Sequence, residues 1–186
     1  MITEGYLARH YQGRLGGRDF ALLDVAQDYA LKLVADKGFF DLGLTLKGGT
    51  ALRKFRMGNQ GRFSTDLDFA PEESGIGDVL FEELNGASLY DVRFQVEVVT
   101  PGRRALLRVD TPLGSPHADA RIEVSARPPW RIPDVRKPVP VFVHEGYEFV
   151  PTEVPVLALE EALAEKLAAF RRRALTRDLY DLASLA

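Results

Sequence analysis

The 186-residue chain is 46% hydrophobic and 27% charged with a net charge of −3, the proportions of one ordinary globular domain without a global attraction to nucleic acid. It has no cysteine and three scattered histidines, which excludes disulfides and thiolate metal sites and argues against a histidine-built one, so any bound metal should be hard and oxygen-ligated. Met1 to Gln12 carries no long apolar run, so neither a secretory signal nor a membrane span is expected and the expected location is cytoplasmic.

From Arg18 to Lys37, Phe20, Leu23, Val25, Ala26, Tyr29, Leu33 and Val34 recur at helical spacing up to Gly38, which predicts an amphipathic helix stopped by that glycine. Leu44 to Leu46 reads as a short strand, Lys47-Gly48-Gly49-Thr50 as a turn, and Ala51 to Phe55 as a helix opening directly after the glycines. Phe63 to Phe69 alternates as a strand and Ile76 to Leu84 suits a short helix. Four β-branched runs follow, Val92 to Val99, Ala105 to Val109, Ala120 to Ser125 and Val139 to Val143, separated by Pro, Gly and Asp. Two helical patterns, Leu157 to Arg173 and Leu175 to Leu185, meet around Ala174. The expected fold class is α+β, a single domain over residues 1–186. A mixed or antiparallel sheet flanked by helices fills about 1–150, and C-terminal helices over about 155–186 complete it.

Two local patterns carry chemistry. Gly48 and Gly49 allow close backbone approach to a phosphate, Thr50 offers a hydroxyl, and the helix start supplies free N–H groups. A plain turn would have the same sequence. In Phe63-Ser64-Thr65-Asp66-Leu67-Asp68-Phe69, period-2 alternation puts Ser64, Asp66 and Asp68 on one strand face. Two like charges so placed repel, and a magnesium ion would offset them while holding triphosphate oxygens. A solvated edge strand is the competing reading. Glu123, in Arg121-Ile122-Glu123-Val124-Ser125, is the candidate third metal ligand, or else a surface partner of Arg121 or Arg127.

On the first C-terminal helix a wheel places Val156, Leu159, Leu163, Leu167 and Phe170 on the apolar stripe, with Lys166 on its flank between Ala162 and Ala169. On the second, Leu175, Leu179, Leu182 and Ala186 form the stripe. Asp178 lies at its edge, while Asp181 lies further out, free to pair with Arg177. A carboxylate at the margin of the stripe needs a partner such as Lys166 or an arginine, so position favours Asp178 over Asp181, unless it serves only in a helix-to-helix ion pair.

Four segments together resemble a known family: Lys47-Gly48-Gly49-Thr50-Ala51-Leu52-Arg53-Lys54, Arg62-Phe63-Ser64-Thr65-Asp66-Leu67-Asp68-Phe69, Glu160-Glu161-Ala162-Leu163-Ala164-Glu165-Lys166, and Arg177-Asp178-Leu179-Tyr180-Asp181-Leu182. From about Leu46 onward the chain resembles the AbiEii/AbiGii toxin family of nucleotidyltransferases, which includes the mycobacterial MenT toxins. The resemblance implies a nucleotidyltransferase fold like that of DNA polymerase β, with Gly48, Gly49 and Thr50 at the phosphates and Asp66 and Asp68 on magnesium, or manganese in its place. The family's motif lysine falls on Lys166, and its late acidic motif on Asp178 and Asp181. It implies transfer of a nucleotide, often a pyrimidine, from a nucleoside triphosphate to the 3′ end of tRNA, which blocks aminoacylation and translation, under the restraint of a cognate antitoxin. Arg53, Arg62 and Ser64 are then candidate triphosphate contacts, and Asp178 would orient Lys166 or the acceptor. Many relatives continue beyond the last motif, so part of the acceptor surface is expected to be missing from a chain ending at Ala186. The residues by themselves also suit a kinase-type phosphotransferase, or a non-catalytic nucleotide- or partner-binding module. Arg103-Arg104, the stretch from Arg121 to Lys137, and Arg171 to Arg173 are the basic segments available to RNA.

Overall fold

The computed structural model describes residues 2–13, 15, 17–114 and 118–185. Helix α1 (Glu4–Tyr11), which the pattern of the sequence does not announce, precedes α2 (Gly17–Asp36). The expected stop is in place: Gly38 adopts φ +76°, and the amides of Gly38 and Phe39 bond back to the carbonyls of Ala35 and Val34. α2 is less amphipathic than its periodicity suggests, because every residue from Ala21 to Leu31 is buried while Phe20 reaches the surface.

A helix enclosed on all sides must find internal partners for its polar residues. Asp24 pairs with His10 Nε2 at 2.8 Å, Lys54 at 3.0 Å and Arg53 at 3.4 Å. Asp28 pairs with Lys54 at 2.8 Å and accepts a hydrogen bond from the Tyr147 hydroxyl at 2.6 Å.

The sheet comprises β1 (Leu44–Lys47), β2 (Asp66–Pro71), β3 (Ser88–Leu89), β4 (Val92–Thr100), β5 (Arg104–Asp110), β6 (Ala118–Val124), β7 (Asp134–Arg136) and β8 (Val154–Val156). Among the described residues its order is β3-β4-β5-β6-β2-β1-β8-β7. It is mixed: β2 runs parallel to β6 and β1 to β8, and the other pairs are antiparallel. Strict alternation in β6 buries Ala118, Ala120, Ile122 and Val124 and leaves Asp119, Arg121 and Glu123 outside. β5 repeats the pattern with Ala105, Leu107 and Val109 inside. α2 covers this apolar face at β6, and α4 (Ile76–Leu84) covers it at β4. Side chains such as Leu107 and Phe94, at 0% exposure, each stabilise the fold by about 1.5–3 kcal/mol through burial. The opposite face of β4, β5 and β6 stays exposed and carries the charge.

The run from Val139 to Val143 corrects the expectation of a strand. Pro138 and Pro140 remove amide donors on either side of Val139, whose own N–H bonds to Lys54 O at 2.8 Å, and the chain then enters a 3-10 turn at Phe142–Gly146. The strands of this region are instead β7 and β8, at three residues each too short for an alternation to show.

α5 (Leu159–Arg173) and α6 (Thr176–Leu185) pack on each other across Ala174, which holds a left-handed φ of +49°. A small apolar seam of Leu52, Met57, Leu157 and Ala162, with Leu185 against it, attaches them to the rest. The wheel-derived faces hold only in part: Val156 is buried and Leu159, Leu163, Phe170 and Leu182 are half-buried. Glu161, Ala162 and Lys166 are the buried residues of α5, and Asp178 and Asp181 those of α6, while Leu167, Leu175 and Leu179 stand 52%, 40% and 51% exposed. Ala186, the last member of the expected stripe, lies outside the described residues.

Candidate active site

β1 delivers Lys47 in extended conformation, and Gly48 then turns the chain at φ +75° into α3 (Gly48–Leu52), which runs on into a π turn at Arg53–Met57. Both glycines are required by what lies opposite. Antiparallel pairing sets Lys47 beside Asp68, so a methyl group on Gly48 would collide with the Asp68 carboxylate. One on Gly49 would come within 2.8 Å of Ser64 Oγ and 3.2 Å of Arg62 Nη2. The Gly48→Ala variant, strained at φ and overlapping Asp68, is expected to lose about 1–3 kcal/mol of stability and to displace Asp68. A thermal melt and a divalent-ion titration would measure the two effects; an unchanged affinity would show that the turn and the carboxylate are independent.

Asp66 and Asp68 occupy one face of β2, as the alternation requires, with Leu67 and Phe69 buried at 1% on the other. Burial, then the Asp66 charge and the more distant Glu123, push the Asp68 carboxyl up to about 6 against the pull of Lys47 and Lys166. Asp66 is engaged by the Arg121 guanidinium at 2.8 and 3.1 Å and by the Thr65 hydroxyl at 3.2 Å. The two carboxylates open onto a cleft of about 720 Å³. Gly48, Gly49, Arg62, Ser64, Asp66, Asp68, Glu123 and Lys166 all line it. Nine Lys or Arg side chains stand around it against four Asp or Glu, so a chain of net charge −3 concentrates positive charge at this one place.

Three candidates do not reach the cleft as expected. Thr50 is fully buried, and its hydroxyl donates to Asp66 O at 2.5 Å, which fixes the turn to β2 rather than offering itself to a ligand. Arg53 is 2% exposed and spends its guanidinium on Gly58 O and Asp24. Asp178 lies beneath α5 and does not line the cleft. Arg173 grips it with two 2.7 Å bonds and holds its carboxyl below the ordinary range.

The partner of Lys166 is accordingly Asp181, at 2.6 Å, with Asp178 at 3.9 Å. Asp181 also accepts two hydrogen bonds from Arg62, at 3.0 and 2.9 Å, rather than pairing with Arg177. Arg62-Asp181-Lys166 thus links the loop before β2 to both C-terminal helices.

Glu123 sits beside Asp68 in the β2–β6 register, but its carboxylate pairs with Arg104 at 3.3 Å. Among the described residues no group of three or more His, Asp or Glu side chains is close enough to share an ion. The expected third ligand is therefore not assembled with the pair. Asp66 and Asp68 do fit a hard divalent cation that keeps oxygens from water or phosphate in its remaining positions. Among the described residues the half-buried Asp68 has no hydrogen-bond or ion-pair partner for its carboxylate, and it lies against a turn kept clear by glycine.

Several cleft residues were not among the expected site residues, although Arg127 and Arg172 fall within the basic segments noted in the sequence. Glu165 bridges Lys47 at 2.7 Å and Arg127 at 3.1 Å, and Arg127 stacks on Trp130 with its guanidinium 4.1 Å from the ring centre. Arg172 and Arg177 line the cleft without an ion-pair partner among the described residues.

Residues 31–186 match the family described as nucleotidyl transferase AbiEii toxin, type IV toxin–antitoxin system. Among solved structures, MenT4, a nucleotidyltransferase toxin of Mycobacterium tuberculosis H37Rv, is 42% identical with a TM-score of 0.89 over 97% of this chain. The chain spans 63% of that protein's length. Two Helicobacter pylori structures, the second of JHP933, are each 22% identical, with TM-scores of 0.58 and 0.54. They cover 82% and 98% of this chain and 64% and 66% of their own, and they bear on the fold alone. No curated protein sequence matches. Among the described residues no helix is long and apolar enough to cross a membrane.

Proposed function

We propose, for a chain that belongs to the AbiEii nucleotidyl transferase toxin family, that the cleft transfers a nucleotide from a nucleoside triphosphate to the 3′ end of an RNA, with tRNA the expected acceptor. Blocked aminoacylation and arrested translation would follow, and a cognate antitoxin would restrain the activity. The observation that carries the reading is the placement of Asp66 and Asp68 across from the Gly48-Gly49 turn, inside a cleft walled by cations.

Magnesium or manganese held by Asp66 and Asp68 would supply positive charge to the triphosphate oxygens and lower the pKa of the attacking hydroxyl. The chain's own residues do the positioning. Gly48 and Gly49 leave room for the phosphates. Lys166 and Arg62, both aimed by the Asp181 carboxylate, stand where phosphate charge grows. The acceptor 3′-oxygen bonds to the α-phosphorus as the bond to the bridging oxygen breaks, pyrophosphate leaves with that electron pair, and the hydroxyl proton passes to water. Ser64 contributes a hydroxyl at the cleft wall.

Incubation of the protein with magnesium, total tRNA and each α-labelled triphosphate in turn tests the reaction. Label in RNA supports it. Transfer only from γ-labelled nucleotide would replace it with a kinase reaction.

The arrangement also ranks the two late acids. Asp181→Asn is expected to lower kcat about a hundredfold, since it releases Lys166 and Arg62 together, whereas Asp178→Asn should cost under about tenfold. Steady-state kinetics with KM and kcat separated would decide, and equal losses would return Asp178 to the site.

A further inference from the structure

Arg121 has no part in the scheme for transfer, yet its guanidinium takes both oxygens of Asp66, Nε at 2.8 Å from Oδ1 and Nη2 at 3.1 Å from Oδ2. The contact follows from topology: β2 and β6 run parallel with Asp66 opposite Arg121, and the next strand offers the uncharged Leu106 at the same level. Arg104, two register positions away on the same face, is committed to Glu123. The Arg121 side chain is 64% exposed, lines the cleft, and makes no hydrogen bond other than those to Asp66 among the described residues.

A divalent ion at Asp66 and Asp68 needs the same carboxylate lone pairs that Arg121 occupies. A solvent-exposed pair is weak enough to exchange, and its two-pronged geometry suits a phosphate as well as a carboxylate. From these contacts we infer that Arg121 is an exchangeable counter-ion: it holds Asp66 until the metal-bound triphosphate enters, then transfers its charge from the carboxylate to the phosphates. This rests on the metal-triphosphate reading of the cleft and adds to it a residue with two successive partners. Arg121 thereby opposes binding of the metal alone and favours binding of the metal together with the nucleotide, so that a bare ion is discriminated against.

The two halves of the exchange have opposite signs, which makes them separable. In a manganese titration without nucleotide, followed by paramagnetic resonance of the free ion, Arg121→Gln should bind Mn²⁺ up to about fivefold more tightly than the unaltered protein. With a non-hydrolysable triphosphate and Mn²⁺, the same variant should bind the nucleotide at least about fivefold more weakly. Arg121→Lys keeps the charge without the fork and should fall between. Arg172→Gln removes a cation from the same cleft without freeing a carboxylate, so it should leave Mn²⁺ affinity nearer that of the unaltered protein. An unchanged or weaker Mn²⁺ affinity in Arg121→Gln, or an equal tightening in Arg172→Gln, overturns the exchange while leaving the aspartate pair intact. If the unaltered protein binds no Mn²⁺ at all, the metal site itself is overturned, and the exchange with it.

Discussion

Replacing Asp66 and Asp68 together with alanine is expected to reduce nucleotide transfer more than about a thousandfold, the scale on which lost stabilisation of transition-state charge is felt. The fold should not weaken in step. Asp68 is raised to about 6 first by burial and then by Asp66, so at neutral pH the folded protein carries a carboxylate that burial and its neighbour both oppose. Against that relief the double variant gives up the exposed ion pair of Asp66 with Arg121, worth under about 1 kcal/mol, and the 3.2 Å bond from the Thr65 hydroxyl. Activity and stability should thus move apart, with transfer abolished and the melting temperature unchanged or higher, as expected where a site is built at some cost to the fold. Assay of label transfer beside thermal melting of the same preparation checks both. A folded double variant that still transfers would remove the pair from catalysis, and a sharp fall in melting temperature would make the pair structural.

The parts of this site that were legible in the sequence are those set by local geometry. Alternation in β2 determines that Asp66 and Asp68 share a face, and a Gly-Gly pair after a short strand marks where the chain turns sharply; neither depends on what packs elsewhere. Arg121 could not be read in the same way, because its role arises from β6 lying beside β2, a neighbour 55 residues away in sequence. Arg172 and Arg177 likewise look like ordinary exposed residues until α5 and α6 are set against the cleft.

The C-terminal helices misled for a different reason. A helical wheel assumes that the apolar stripe points inward. In α5 and α6 the inward faces carry Lys166, Asp178 and Asp181, and these satisfy one another and Arg62 and Arg173 as ion pairs. The wheel correctly placed Lys166 beside the small Ala162, but it set Asp181 outside when its carboxylate is the hub joining Lys166 to Arg62. Burial of charge is costly unless it is paired, so a face this polar and this enclosed points to function more directly than its apolar neighbours do.

A second buried charge cluster, which does not line the cleft, should dominate stability. Asp24 is 2% exposed, and although its burial alone would raise its pKa, Lys54, the His10 hydrogen bond and Arg53 outweigh that and hold the carboxyl far below its ordinary value. Asp28, shared between Lys54, Tyr147 and His144, is lowered in the same way. Asp24→Ala leaves Arg53 and His10 facing a void and Lys54 with Asp28 alone, and the loss is expected to be about 3–5 kcal/mol, a large share of the roughly 5–15 kcal/mol typical of a domain. Replacing Arg53 with methionine in the same background should recover part of it, since Asp28 still compensates Lys54 and the uncompensated cation, rather than the missing attraction, carries most of the penalty. The pH dependence follows from the same depression. Because both carboxyls ionise more readily in the folded protein than in the unfolded chain, with its ordinary value of about 3.9, their contribution is complete above about pH 5. As the pH falls below about 4 the unfolded chain takes up protons first and the contribution shrinks. Denaturant melts from about pH 7 down to about pH 3 should therefore show the unaltered protein losing stability in acid, with Asp24→Ala losing less over the same interval. Parallel acid profiles for the two proteins would place the acid sensitivity elsewhere.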